Sequence, residues 1–163
     1  MLHALRQFVE AHPDCFERSL REGHVTGSCW LLDASGTHVL LTHHRKLDRW
    51  LQLGGHADGD PDLLRVALRE AREESGLEDI VAVSEAIFDV DVHAIPARGD
   101  EPRHLHYDVR FLLRAGRDAP LRVNHESKAL AWIKLSEVAR LSPDESLLRM
   151  VAKTIQMMSP RLA

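Results

Sequence analysis

Apolar positions along the chain fall into short blocks whose period switches between helical and alternating. From residue 2 to 21 the apolar residues recur at helical spacing. This predicts an amphipathic helix, or two broken near His12-Pro13-Asp14, because proline cannot continue a helical turn. The apolar runs Val25 to Leu32 and His38 to Leu41 flank the turn-rich Asp33-Ala34-Ser35-Gly36, which predicts a β-hairpin. A basic stretch from His43 to Arg49 leads through Trp50-Leu51-Gln52-Leu53 into Gly54-Gly55. Asp60-Pro61 then predicts a helix over 61–75, with Asp60 as cap and Pro61 as first helical residue, and Gly76 as its stop. Ile80 to His93 is β-rich, His104 to Leu113 alternates, and Leu130 to Leu135 reads as a last strand. Pro143-Asp144 opens a terminal helix to about Met158. Strands before, around and after a central helix, closed by a terminal helix, predict an α/β sandwich with a mixed sheet.

A length of 163 residues suits one compact domain, and 44% hydrophobic with 28% charged residues excludes a largely disordered chain. The domain is expected to span 1–163, with a helical extension over about 1–21. The formal charge of −4 argues against a nucleic-acid module built on a strong basic field. No apolar run approaches the ~20 residues that span a bilayer, and the first twenty residues carry charges throughout, unlike a signal peptide. The expectation is a soluble, cytoplasmic protein without membrane or nucleic-acid partners. Cys15 and Cys29 are too few for a disulfide framework and lack metal-pair spacing. The 11 histidines exceed ordinary usage.

Chemistry concentrates on the central helix. With Glu70 as zero at about 100° per residue, Leu63, Val66, Ala67, Glu73 and Glu74 all fall within roughly 60° of it. An arc that begins as a core-facing stripe thus becomes a cluster of three carboxylates. Glu70 and Glu74 repel at i,i+4 even in water, and carrying them inward costs far more unless cations or protons neutralise them. One reading is a solvated acidic face balanced by Arg65, Arg69 and Arg72. Those arginines lie on the other side of the wheel, except that Arg69 reaches Glu73 at i,i+4. The other reading is a hard divalent cation held by the glutamates.

Gly55 followed by Arg69-Glu70-Ala71-Arg72-Glu73-Glu74-Ser75-Gly76-Leu77 resembles the Nudix box, G-x5-E-x7-R-E-U-x-E-E-x-G-U, over residues 55–77. The glutamate expected at 61 is Pro61, and its acidic role is read as passing to Asp60. The flanking order of strands and the terminal helix also resemble that family. The resemblance implies a Nudix-type α/β/α sandwich with a mixed β-sheet. It implies a hydrolase that cleaves a diphosphate linkage in a nucleoside diphosphate derivative with Mg²⁺ or Mn²⁺. By the same resemblance Glu70 and Glu74 are the main metal ligands, Glu73 supports them, and Arg69 fixes carboxylate geometry. The Gly54-Gly55 turn offers a backbone carbonyl to the metal, since glycine allows close approach. A general base on a later loop is also implied. Glu126 is the best-placed residue for it, against the plain reading of a surface loop glutamate.

The histidines carry a second pattern. His104, His106 and Asp108 share one strand face by alternation, His56 follows the glycine pair, and His24 precedes the first strand. The set His24, His56, His104 and His106 resembles the metal ligands of isopentenyl-diphosphate isomerase, a relative within the same fold. That enzyme needs a cysteine where this chain has Gly54. What this leaves is a second, transition-metal site or contacts to phosphates, against a half-exposed sheet whose polar face carries Asp89, Asp91, His93, His104, His106 and Asp108. The cluster His43, His44, Arg45 and Lys46 reads as a phosphate contact or a solvated loop. The leading expectation is a metal-dependent pyrophosphohydrolase on a small diphosphate substrate. An isomerase-like enzyme and a non-catalytic nucleotide sensor are the rivals. Oligomeric state is left open, a dimer included.

Overall fold

The computed structural model describes residues 1–116 and 120–159; the expected domain ends, 160–163, and residues 117–119 lie outside the described residues. Its frame is an eight-stranded mixed sheet. The strand β1 (Gly23–Leu32) is buried along its whole length, as expected of a near-continuous apolar run flanked on both sides. It pairs in parallel with β7 (His104–Ala115), from Gly23↔Leu105 to Leu32↔Arg114. Every other pairing is antiparallel: β2 (His38–His44) with β3 (Arg49–Leu51) and β8 (Ser127–Lys134), β4 (Leu53–His56) with β1, and β5 (Ile80–Ala82) and β6 (Asp89–Ile95) with β7.

The predicted hairpin is a hairpin only at its turn. β1 and β2 share the single register pair Leu32↔Val39, held by Asp33, whose carboxylate accepts the Thr37 and His38 N–H groups. Beyond it the strands part, and β4 takes the vacated edge of β1. The N-terminal helix breaks where expected, near His12-Pro13-Asp14, but the piece after the break is not a second helix. α1 (Leu2–Ala11) ends before Pro13, and residues 14–20 form turns stitched by bonds such as Glu17 N–H to the Asp14 carbonyl. The helix joins the main core, where Phe8 stacks on Tyr107 at 3.9 Å.

Helices cover both faces. α2 (Leu63–Ser75) packs Val66 so closely on Gly27 of β1 that a Cβ there would lie 2.8 Å from Val66 Cγ1. On the opposite face Trp30, Leu32 and Leu112 meet Leu147 and Met150 of α4 (Glu145–Met158), and Trp30 Nε1 donates to Thr154 Oγ1. The short α3 (Val138–Leu141) precedes α4. The predicted cap of α2 is corrected: Asp62, not Asp60, accepts the Arg65 N–H, and the helix begins two residues later than expected. Asp60 instead binds the Arg65 guanidinium, an internal ion pair in place of the missing box glutamate. Gly76 ends the helix in the left-handed conformation at φ 73°, as predicted. Among the described residues no helix is long and apolar enough to cross a membrane.

Candidate active site

α2 delivers its acidic arc to the glycine turn of β4. Glu74 is 7% exposed, and one of its oxygens accepts the Gly54 N–H at 3.3 Å. The Glu70 carboxylate lies flat against Gly55, where a Cβ would sit 2.6 Å from it. At Gly54 a Cβ would meet Ser28 Oγ at 2.1 Å. The glycine pair is therefore the price of bringing backbone, Ser28 and carboxylate into one space.

Burial above all pushes the Glu74 carboxyl up to about 8; the Gly54 N–H pulls it back in part, and the charges of Glu70, Glu126 and Glu73 add to the rise. Glu70 is also raised, by burial first, with Arg69 opposing and Glu73 and Glu126 reinforcing. Each unit is about 1.4 kcal/mol, so ionising both without an added cation is costly. Arg69 departs from expectation: its Nη2 donates to Glu70 Oε1 at 2.7 Å and to the His56 carbonyl at 2.9 Å, so it orients Glu70 rather than Glu73. Glu73 stands at the exposed rim.

Glu126 lies on the loop before β8, close enough for its charge to act on Glu70, Glu74 and His44. The basic stretch proves to be the scaffold of that loop. Arg45 donates from its backbone to the Glu126 carbonyl and from its side chain to the carbonyls of His125 and Ser127. His43 stacks on Trp50 and pairs with Asp48, while His44 Nδ1 accepts from Lys46 and Leu47 N–H.

On the polar face of the sheet, expected to be half-exposed, Asp89, His104 and Asp108 are buried, while Asp91, His93 and His106 are half-buried. Asp108, 2% exposed, accepts from Thr26 Oγ1, Ser28 Oγ, Gln52 Nε2 and Arg110 Nε. Arg110 also pairs with Asp89 and Asp91, which Arg149 and Lys153 of α4 neutralise from above. Alternation placed these acids on one face, but nothing local marked Arg110, Arg149 and Lys153 as their partners.

At the far end of that face His24, His56 and His106 converge, with one ring nitrogen of each within 4.8 Å of the others. His104 stands outside this triangle, its Nε2 3.3 Å from His106 Nε2. Burial first, then the neighbouring rings, lower His24 to about 4 and His106 to about 2.

A family model described as the NUDIX domain matches residues 23–153. The chain belongs to this family, the Nudix hydrolase superfamily, in agreement with the fold and the box helix. A search of curated proteins by sequence found no match. Solved structures with similar folds include the Ap4A hydrolase of C. elegans in a binary complex, with a TM-score of 0.66 and 16% identity over 82% of this chain and 96% of that one. The dihydroneopterin triphosphate pyrophosphohydrolase of E. coli has a TM-score of 0.63 and 16% identity, over 81% and 95%. The MutT protein of Methanosarcina mazei has a TM-score of 0.63 and 14% identity, over 85% and 96%. At such identities the likeness is one of fold.

Proposed function

We propose that the protein is a metal-dependent pyrophosphohydrolase that cleaves the diphosphate linkage of a nucleoside diphosphate derivative or a related small metabolite. The observation that carries this reading is the convergence of Glu70 and Glu74 on the Gly54-Gly55 turn, where Glu74 is buried, pushed up to about 8, and given one backbone N–H but no cation among the described residues. A structural acid in that position has its counter-charge built in; this one is left for a ligand to neutralise. The donors are carboxylate oxygens, which fit Mg²⁺ or Mn²⁺. Glu70 and Glu74 would hold the ion, Glu73 would support it from the rim, and the Gly54 carbonyl is the backbone ligand the turn offers. When bound, such an ion supplies charge neutralisation and a more acidic water.

Arg69 acts as a positioning residue, locking Glu70 through a charge-assisted bond while anchored on the His56 carbonyl. Glu126 is read as the general base, taking the proton of the attacking water on its carboxylate. Its loop is held by Arg45 and by the Asn124 Oδ1 bond to the Glu126 N–H. The names of the similar structures cover anhydrides of phosphate, which supports this class of substrate. An isomerase reading is disfavoured, because any side chain at position 54 would collide with Ser28.

The test is a turnover screen with Mg²⁺ and Mn²⁺ across nucleoside triphosphates, nucleotide sugars, dinucleoside polyphosphates and cytidine diphosphate alcohols, with release of a nucleoside monophosphate or pyrophosphate as readout. Hydrolysis of one class is expected. Binding of nucleotides without turnover of any of them would replace the enzyme reading with a sensor.

A further inference from the structure

Three strands bring the histidine triangle together. His24 of β1 and His106 of β7 are direct partners in the parallel register, and His56 of β4 lies opposite Thr26, the next residue of β1 on that face. Ring centroids are 4.9 Å apart for His24 and His56, 4.7 Å for His24 and His106, and 5.3 Å for His56 and His106. One ring nitrogen of each lies within 4.8 Å of the other two, so small ring movements would bring all three onto one ion.

Hydrogen bonding separates this corner from the rest of the face. His24 is 2% exposed, and both of its ring nitrogens lack a partner; among the described residues they are the only buried side-chain polar atoms in that condition. The Leu20 carbonyl pulls weakly on the ring without reaching bonding geometry. A buried polar group left unsatisfied costs on the order of 1–3 kcal/mol, and Asp108 on the same face is fully supplied with donors. Among the described residues no carboxylate completes the triangle. Asp91 bonds His93, Glu101 comes within 3.9 Å of His104, and the charges of Arg18, Asp58 and Glu101 act on His56 without bonding it.

We propose that His24, His56 and His106 form a zinc site, separate from the α2 carboxylates, with a fourth coordination position open to water or a phosphate oxygen. Three imidazoles suit Zn²⁺ and exclude Mg²⁺, which demands oxygen ligands. Three protein ligands with one open position is the arrangement of zinc sites that take up water or a ligand, in contrast to closed four-ligand structural sites. His104 is an orienting neighbour: its Nδ1–H donates to the Pro102 carbonyl at 2.9 Å, which turns the Nε2 lone pair towards His106. Arg69 links the site to the carboxylate centre, binding the His56 carbonyl and Glu70 with the same nitrogen, and Gly55, next to His56, lies against the Glu70 carboxylate.

The proposal stands independently of the pyrophosphohydrolase reading, and so does its test. The full chain is purified without chelator, reconstituted with Zn²⁺ in excess Mg²⁺, desalted, and measured by elemental analysis; Co²⁺ loading reports coordination by visible absorption. One zinc per chain is expected, with a tetrahedral cobalt spectrum that shifts on adding inorganic phosphate. Zinc retention should fall at least tenfold in His24→Asn and in His106→Asn, and stay intact in Glu74→Gln. His104→Ala should weaken zinc affinity about 10–100-fold while keeping the cobalt geometry. Where a buried variant fails to fold, the half-buried His56→Asn makes the same measurement. Wild type that retains no zinc, or zinc lost in Glu74→Gln and kept in His56→Asn, overturns the site. A cobalt spectrum indifferent to phosphate overturns its open position. Loss of turnover with zinc retained counts against the proposed activity and leaves the zinc site standing.

Discussion

Two trios of carboxylates lie against opposite faces of the sheet, and they solve burial in opposite ways. Asp89, Asp91 and Asp108 meet Arg110 within the sheet, and Arg149 and Lys153 descend on Asp89 and Asp91 from α4. Burial pushes Asp89 up, but its bonds to Arg149 and Lys153 outweigh it and leave it below the usual range. The His93 bond, with Arg110 and Arg149, holds Asp91 well below that range. Among the described residues Glu70, Glu73 and Glu74 share one cation, Arg69, which bonds Glu70 and reaches Glu73 through its charge alone. Burial there carries the day, and Glu70 and Glu74 rise. Acid content alone does not distinguish a structural cluster from a site. Whether the chain supplies the counter-charge does.

The largest effect expected is at the satisfied trio. Arg110→Met removes a cation only 2% exposed, takes from Asp108 its one paired cation and leaves Asp89 and Asp91 to Arg149 and Lys153, at a cost of about 3–5 kcal/mol by denaturant unfolding. A loss under about 1 kcal/mol would mean the trio is not internally neutralised, on the scale of exposed pairs. Glu74→Gln should show the reverse profile. It keeps an acceptor for the Gly54 N–H, so in chelator at pH 8 the melting temperature should hold or rise. Turnover should drop about 10²–10³-fold, as when one preorganised electrostatic element is lost, and Mg²⁺ should stabilise wild type by mass action but the variant much less. A destabilised variant with normal turnover would make the glutamates structural.

In the pH dependence of the chelated protein the two trios have opposite signs. Glu74, raised in the fold, contributes stability that is present below the unfolded value near 4.5 and lost as pH rises through about 8. Asp89 and Asp91, depressed in the fold, contribute stability present above about 3.8 and lost as pH falls towards their folded values. Thermal melts from pH 3 to pH 9 should therefore decline at both ends. Glu74→Gln should remove the alkaline decline and leave the acid one. An alkaline decline that persists in the variant detaches it from Glu74.

Much of this comparison was legible before any coordinates. The arc of Glu70, Glu73 and Glu74 follows from helical period, and the Gly76 stop from the conformational freedom of glycine. The sharing of one face by Asp89 and Asp91, and by His104, His106 and Asp108, follows from strand alternation. Local signals misled where two acids competed for one cap: Asp60 and Asp62 are both good caps, and Arg65 decided between them by pairing with Asp60. They misled again in the hairpin, because a turn signal reports the two residues it joins and says nothing about the next strand to dock.

The amino-acid sequence by itself determined which residues face together on each element, since helix and strand periods are properties of the backbone. It determined the carboxylate arc and the family to which its motif belongs. Only the tertiary structure decided which charges are answered. Arg110, Arg149 and Lys153 reach the aspartates from positions distant in the chain. Arg69 turns to Glu70, and His24 meets His56 and His106 across three strands with its nitrogens unpaired. Neutralisation and hydrogen bonding act through space over a few ångströms, so no one-dimensional spacing encodes them.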